Sequence, residues 1–383
     1  MKKICILAVL SACIQPALAV DIKTGDWTVS LGGIVNAYAT VVDCNGGQVG
    51  GLALGGQALG CGSEDTRTTI GNGLLPNALI GSASSRQGGF DVKALVGIYA
   101  ATATDSAISQ NSNVDVRQAF FTFGRSDLGS FKLGRDYGIF GHNAILGDMT
   151  LVGAGAPVQA TQRGRVTLGH IGAGYAYLGT YGQIAYTTPS TPGGLSADLA
   201  IMSPVADTPV VAGAAYSSDS TPQFQARLSL VQGGFKGWIS AKAQRFNGVA
   251  ATTDDLNMHG FEVGASYAAE EAGLLVNVQS GKALGVLSDA DQGDVRTTHY
   301  LVQGTYKTSD ALKLGISYGQ SRNKDATPGT AGLRSNENLT VGAYYALNSV
   351  ITLVAEAGQT RSKAFTGQKA RMNGVSLGGI IFF

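Results

Sequence analysis

The chain has 383 residues, 55 of them glycine, and only 14% are charged, where soluble proteins carry about 25%. The formal net charge is +1 and no Lys/Arg-rich run occurs, which excludes the electrostatic footprint of a nucleic-acid-binding protein. The small charged share also excludes charge-driven disorder. The length suits one large barrel or two to three ordinary domains.

Residues 1–19 have the pattern of an export signal. Two lysines follow the initiator, an apolar stretch comes next, and Ala-Leu-Ala at 17–19 offers a cleavage site before Val20. A second interpretation is a lipoprotein box at 10–13, which would leave an acylated Cys13. The position of the Ala-Leu-Ala site favours ordinary cleavage, so we expect a mature barrel domain over 20–383.

Cys44 and Cys61 are the two cysteines of the predicted mature chain, and both lie in a glycine-rich segment. In an exported protein the default for such a pair is a disulfide. Closing this loop would contribute about 3 kcal/mol by constraining the unfolded chain. No histidine or carboxylate pattern completes a site around them, so we expect no metal and no cofactor.

Strands with a period-two alternation of apolar and polar residues recur along the chain. Residues 312–319 and 339–347 are clear examples, and runs of about 9–11 residues suffice to cross a bilayer with apolar faces outward. A soluble β-sandwich would alternate similarly, but it would not also explain the low charge and the export signal. We predict an all-β, antiparallel transmembrane barrel of sixteen strands, starting near residues 26, 76, 90, 115, 130, 180, 195, 222, 235, 257, 272, 296, 310, 337, 350 and 372.

The predicted connections alternate in length. Short ones lie near 309–310 and 348–349, whereas long polar ones cover about 204–220, 283–295 and 321–336. Outer-membrane barrels have short periplasmic turns and longer external loops. An even strand count then places both termini on the periplasmic side.

Several segments resemble the general, trimeric porin family of Gram-negative bacteria. RQAFF at 117–121, followed by LGSFKLGRDY at 128–137, resembles the family's pattern across its fourth and fifth strands. YTTP at 186–189, followed by GGL at 193–195, resembles the next strand, turn and strand. The terminal VSLGGIIFF resembles the assembly signal of outer-membrane barrels, carried here by Gly379, Ile381 and Phe383.

This resemblance implies a homotrimer whose subunits pass small hydrophilic solutes and ions by passive diffusion. It also implies insertion into the outer membrane by the barrel-assembly machinery, among lipid and lipopolysaccharide. The family's third external loop folds into the barrel and narrows the pore, and here that loop corresponds to roughly 136–165. Such a constriction acts through its electric field, with acids on the loop facing bases on the wall.

The resemblance assigns constriction residues only in part. Asp148 matches the acidic position of the loop, and Arg117 matches the arginine of the fourth strand. Lys93, Lys132 and Arg163 are further candidate cations, although no motif fixes them in the pore. Two other interpretations stay open: Arg117 as a strand-end residue at the headgroup level, and Asp148 as an ordinary turn or capping residue.

Catalytic patterns are absent from the sequence. The four histidines are scattered, and neither a G-x-S-x-G nor a P-loop occurs, so we expect no enzyme. The sequence therefore predicts a general diffusion channel. The alternatives are a substrate-selective porin, and a surface adhesin or structural barrel of the envelope without a transport role.

Overall fold

The computed structural model describes residues 20–54, 57–59, 65–102, 113–155, 168–205, 216–218, 220–249, 254–287, 289–326 and 332–383. The predicted signal segment lies outside these residues. In the described part of the chain, helix is confined to α1 (His142–Gly147) and a 3-10 turn (Met149–Val152), and no helix is long and apolar enough to span a membrane.

Sixteen strands close into one antiparallel barrel, and each starts no more than four residues from its predicted position. They are β1 (Trp27–Gly46), β2 (Asn77–Gln87), β3 (Phe90–Ala101), β4 (Asn113–Arg125), β5 (Gly129–Tyr137), β6 (Thr180–Thr187), β7 (Leu195–Met202), β8 (Gln223–Gln232), β9 (Phe235–Gly248), β10 (Leu256–Ala268), β11 (Ala272–Lys282), β12 (Arg296–Lys307), β13 (Leu312–Asn323), β14 (Leu333–Ala346), β15 (Ile351–Ala364) and β16 (Lys369–Phe382). Five short strands are added: Val20–Thr24, Val49–Leu54, Gln57–Leu59, Thr66–Gly71 and Tyr216–Ser217.

The barrel closes where the last strand pairs with the first. The register of β1 and β16 runs from Ile34 opposite Phe382 to Gly46 opposite Ala370. Beyond it, Gly33 and Phe383 exchange two backbone hydrogen bonds of 2.7 and 3.1 Å. Closure satisfies the edge groups that an open sheet would leave unpaired.

The two faces of the wall follow the alternation of the sequence. On β16, Val375 and Leu377 point outward and are more than half exposed, whereas Ser376 is buried and bonds Thr40 across the inner face at 2.6 Å. Outward aromatic rings meet in a row formed by Phe121, Phe123, Phe131 and Tyr186. Such aromatic girdles are typical of membrane barrels at the lipid–water interface.

The connections divide the barrel into two ends. Most of the turns at one end are short, such as 88–89 and 233–234, and we call this the short-turn end. The other connections are mostly longer, such as 138–179 and 283–295, and we call that side the long-loop end. The first residue of β1 and the last of β16 both lie at the short-turn end.

Candidate pore constriction

The connection between β5 and β6 folds into the lumen, as the predicted third loop does, and it extends to residue 179. Wall side chains hold its backbone. Gln225 on β8 accepts hydrogen bonds from the backbone N–H groups of Ile139 and Phe140 (2.7 and 2.8 Å). Gln303 on β12 accepts one from the N–H of Met149 (2.6 Å) and donates one to the carbonyl of Gly147 (2.9 Å). The loop is thereby fixed against the wall on one side of the lumen.

Two carboxylates of the barrel wall also accept hydrogen bonds from the backbone of this loop. Glu262 on β10 accepts a hydrogen bond from the N–H of Gly141 (3.1 Å). Glu356 on β15 accepts from the N–H groups of Ala154 and Gly155 (2.9 and 2.5 Å). Both side chains are buried. They satisfy loop backbone donors, which would be costly to bury unpaired, so they are not exposed charges of a wet channel wall.

Asp148 joins the two limbs of the loop. Its carboxylate accepts hydrogen bonds from the N–H and hydroxyl of Thr150 (2.9 and 2.8 Å) and from the Tyr175 hydroxyl (2.7 Å). Nδ1 of His170 lies 3.2 Å from it, and both side chains have 0% exposure. Burial alone raises the pKa of Asp148, but the His170 imidazole and these hydrogen bonds outweigh burial and hold the pKa below its ordinary value. The carboxylate therefore points into the loop rather than into an open passage.

A second loop, 283–295 between β11 and β12, also lies inside the long-loop end. Ala283, Val286 and Leu287 of this loop are buried, and the Leu287 carbonyl accepts a hydrogen bond from the N–H of Tyr177 (3.1 Å). Asp289 forms an ion pair with Lys242 of β9. Its other oxygen accepts hydrogen bonds from Tyr181 of β6 (3.1 Å) and Gln223 of β8 (2.9 Å). The second loop thus binds β6, β8 and β9, which precede β11 and β12 in the chain.

The wall at β3–β5 carries polar side chains that retain solvent exposure. A β-bulge interrupts the β3–β4 register, because Val116 and Arg117 together oppose Ile98. The extra residue turns Arg117 inward, where its guanidinium lies 5.2 Å from the ring centroid of the buried Tyr99. Both Nε and Nη2 of Arg117 bond the carboxylate of Asp115 (2.8 and 2.7 Å).

A chain of hydrogen bonds starts at Tyr99 and continues onto β5. The Tyr99 hydroxyl bonds Gln118, and Nε2 of Gln118 donates to Asp136 at 2.8 Å. Asp136 also forms an ion pair with Lys132, whose ammonium lies 5.1 Å from the Phe120 ring centroid. We call Tyr99, Asp115, Arg117, Gln118, Lys132 and Asp136 the polar ladder.

The candidate cations of the sequence fall in different places. Arg117 and Lys132 belong to the polar ladder. Lys93 is exposed and shares a cross-strand row with Thr122 and Lys132. It lines an open cavity of about 780 Å³ at the short-turn end. Arg163 lies outside the described residues.

The cysteine pair is the remaining site prediction inside the exported chain. Cys44 is disulfide-bonded, and its predicted partner Cys61 lies outside the described residues, so the pairing stays a prediction.

Sequence reasoning missed Asp115 and Asp136. Asp115 lies two residues before Arg117, and Asp136 lies four residues after Lys132. Because side chains two or four residues apart share one face of a strand, these spacings could have indicated both acids as partners of the cations. Nothing local in the sequence indicated that Asp289 meets Lys242.

A family model described as Gram-negative porin matches residues 7–364. The chain belongs to the Gram-negative porin family. The porin is accordingly an integral outer-membrane channel for passive diffusion, a channel rather than an enzyme. This assignment favours a channel over the alternative of an adhesin or a structural barrel.

Solved structures share the fold of this porin at low sequence identity. The outer-membrane channel DcaP of Acinetobacter baumannii superposes with a TM-score of 0.71 at 16% identity, covering 96% of this chain and 100% of that one. An anion-selective porin from Comamonas acidovorans gives 0.65 at 16% identity, covering 93% and 100%. Salmonella typhi OmpF in complex with daunomycin gives 0.60 at 15% identity, covering 94% and 100%. No curated protein matches the sequence.

Proposed function

We propose that solutes cross this porin along the polar ladder, between the inner faces of β3–β5 and the in-folded loops. The observation that carries this route is the run of polar side chains on β3–β5, in which Asp115 and Lys132 keep 48% and 33% of their side-chain surface exposed. The cavity at the short-turn end lies on the same strands and provides the exit. Aligned donors and acceptors replace part of the hydration shell of a passing solute, as in other channel constrictions.

The charges along this route favour small anions weakly. Arg117 is paired with Asp115 and Lys132 with Asp136, so these four groups nearly cancel. Lys93 adds an exposed cation on the same inner face. Lys93 shares the open cavity with the acid Asp26, but it lies in the cross-strand row of Lys132, next to the ladder, where a positive charge raises the local anion concentration. The anion-selective porin from Comamonas acidovorans, which shares the fold, is consistent with this preference.

In this proposal Asp148 positions the loop and does not contact the solute. Its burial and its contacts with Thr150, His170 and Tyr175 support that role. The capping alternative raised from the sequence is the closer description, because Asp148 also caps the 3-10 turn. The electric field in the passage then comes from charged side chains of the barrel wall rather than from an acid on the loop.

Assembly and orientation are proposed from the family. The porin forms a homotrimer, is inserted by the barrel-assembly machinery among outer-membrane lipid and lipopolysaccharide, and has both termini in the periplasm. The outward face of β1 carries small residues such as Ala37 and Ala39, which suit close packing of subunits. A monomer on native electrophoresis in mild detergent would contradict the trimer.

The route is tested by reversal potentials in asymmetric KCl across a planar bilayer. Arg117→Ala leaves Asp115 unpaired in the passage, so we expect the anion preference to fall to about one half or to reverse. Arg125→Ala is the matched control, because Arg125 makes the same two-bond pair with Asp127 at the short turn (2.6 Å each) and lines the wide exit cavity rather than the polar ladder. Equal reversal potentials for parent, control and Arg117→Ala would remove Arg117 from the passage. Block of the conductance by one solute class would favour the substrate-selective alternative.

A further inference from the structure

A second cavity opens at the short-turn end, across the lumen from the polar ladder. Its wall is formed by β10–β16 and the turn between β12 and β13, and its ceiling by the in-folded loop. The volume is about 490 Å³, within the range of about 300–1,000 Å³ that small-molecule sites occupy. The cavity shares no lining residue with the exit cavity beside Lys93. We call it the lysine pocket, after Lys307 and Lys313 on its wall.

Tight contacts between the in-folded loop and the wall close the ceiling of the lysine pocket. A Cβ added at Gly315 of β13 would come within 2.5 Å of the Met149 sulfur, and one added at Gly147 would come within 2.7 Å of the Leu275 side chain. Gln303 of β12 also hydrogen-bonds the loop backbone at Gly147 and Met149. The pocket is therefore a recess that opens toward the short-turn end, separate from the route along the polar ladder.

The ceiling of the pocket is mainly apolar, although it faces the lumen of a channel. The loop contributes aliphatic and thioether side chains, and the wall adds two aromatic rings. These residues are Leu146, Met149, Leu151, Val152, Tyr344 and Phe382. Apolar surface in contact with water favours an apolar ligand that covers it.

Two lysines stand directly opposite each other on the wall of the pocket. Lys307 of β12 and Lys313 of β13 are register partners, and Nζ of Lys313 lies 5.2 Å from the ring centroid of Tyr344. Within the described part of the chain, neither lysine forms an ion pair, and Asp310 of the turn between them forms none either. Like charges directly opposite one another destabilise an antiparallel pair of strands. The lysine pair is therefore suited to a bound counter-anion.

We infer that the lysine pocket binds an amphipathic organic monoanion, with its carboxylate or sulfonate head between Lys307 and Lys313 and its apolar body against the ceiling. Both ammonium groups donate hydrogen bonds to the anionic oxygens, which relieves the repulsion between them. The two lysines less Asp310 leave one net positive charge, which a monoanion neutralises. The ring of Tyr344 and the thioether of Met149 suit an aromatic or alkyl body. The site does not depend on the polar ladder, and only the compartment that supplies the ligand, the periplasm, rests on the proposed orientation.

The test measures binding of 2-naphthalenesulfonate to the full porin by titration calorimetry in a non-ionic detergent, against a detergent blank. Lys307→Gln/Lys313→Gln removes both cations of the pocket, and we expect it to bind the probe at least about tenfold more weakly. Arg86→Gln/Arg125→Gln is the control, because it removes two cations that line the exit cavity at the same end and are each paired with an aspartate (3.0 and 2.6 Å). The control should match the parent. Lys307→Arg/Lys313→Arg, which keeps both charges, should retain most of the affinity.

Two further probes separate the charged part of the site from the apolar part. Uncharged 2-naphthalenemethanol should bind at least about tenfold more weakly than the sulfonate, because it lacks the charge that the lysines face. Methanesulfonate, which lacks the apolar body, should give no measurable heat of binding at the same concentration. Equal affinity of the parent for the charged and uncharged naphthalenes would overturn the inference. Parent-like binding by Lys307→Gln/Lys313→Gln, or equal weakening by the control, would also overturn it.

Arg117→Ala distinguishes this site from the proposed passage. It leaves both lysines of the pocket in place, so we expect it to bind the probe like the parent, whatever its reversal potential. Loss of binding in Arg117→Ala would overturn the placement of the anion in the lysine pocket. Retained heat-resistant mobility on electrophoresis shows that the variants are folded.

Discussion

Asp289, in the loop between β11 and β12, forms an ion pair with Lys242 on the inner face of β9, and the two side chains are only 2% and 1% exposed. A buried ion pair stabilises a structure only while both partners are present, because removal of one leaves a buried charge uncompensated. Asp289 also bonds Tyr181 and Gln223, so one carboxylate ties the second loop to three strands. The pair thereby fixes how far this loop reaches over the lumen.

Asp289→Asn should release this loop. The amide cannot neutralise Lys242, and we expect the loop contact to lose about 3 kcal/mol while the barrel stays folded. Single-channel conductance should rise, by up to about twofold, because more of the lumen opens to ions. Asp294→Asn in the same loop is the control, since Asp294 forms an exposed ion pair with Lys282 at 2.9 Å. Parent-like conductance of both variants would show that the second loop does not limit the passage.

Asp148→Asn should loosen the in-folded loop at neutral pH. The neutral amide loses the charge that His170 and Tyr175 face, and unpaired buried donors cost about 1–3 kcal/mol each. We expect larger open-channel noise, measured in planar bilayers, and unchanged heat resistance of the barrel. Thr187→Val is the control, because Thr187 also donates to a carboxylate, that of Asp198 (2.7 Å), but it is exposed at the short-turn end of β6. Equal noise in all three proteins would contradict the role of Asp148.

The open-channel noise of the parent should depend on pH through the carboxylate of Asp148. Its pKa is lower in the folded protein than the ordinary value of 3.8, so its stabilising contribution is complete above that value. The contribution is lost as the pH falls through the lowered pKa, when the carboxylate becomes protonated. Parent noise should therefore rise as the pH falls below 3.8, whereas Asp148→Asn should already be noisy at neutral pH. A transition well above that pH would point to a different group.

The disulfide of Cys44 can be tested by the reactivity of the porin's thiols. If Cys61 is the partner, the mature porin has no thiol that reacts with maleimide under denaturing, non-reducing conditions. Cys61→Ser should expose one reactive thiol, at Cys44, and mass spectrometry of the parent should find the cross-linked peptide. Loss of the bridge should destabilise the glycine-rich segment by about 3 kcal/mol without changing conductance. A free thiol at Cys61 in the parent would exclude this pairing.

Phe383→Ala should reduce assembly rather than transport. The ring of Phe383 lies against Gly33, where an added Cβ would come within 2.6 Å of it, so this contact covers the seam between β1 and β16. We expect severalfold less heat-resistant porin in the outer membrane, with parent-like conductance of the assembled fraction. Leu377→Ala, which trims an outward side chain of the same strand, is the control. Equal yields of the two variants would remove Phe383 from the assembly signal.

The strands and their faces could be predicted because the signal for them is local. Side chains of a strand alternate between its faces, so the apolar and polar residues of 375–383 already indicated which of them face lipid. The family motif at 117–137 likewise located β4, β5 and the loop after them. Ala119, Phe121 and Phe123 are separated from Arg117 by even numbers of residues, as side chains on one face would be, but the bulge at Val116 and Arg117 reverses the alternation, so Phe121 points outward and Arg117 inward.

Only the tertiary structure decided what fills and lines the lumen. Asp148 is buried because His170 and Tyr175, more than twenty residues further along the chain, close over it. Asp289 meets Lys242 across 47 positions of sequence, and no periodicity encodes such a contact. The sequence by itself determined a closed barrel, since alternation and strand length are set residue by residue, whereas the in-folded loop was implied by the resemblance to porins. The positions of the charges in the passage depend on contacts between distant segments, which exist only once the barrel has closed.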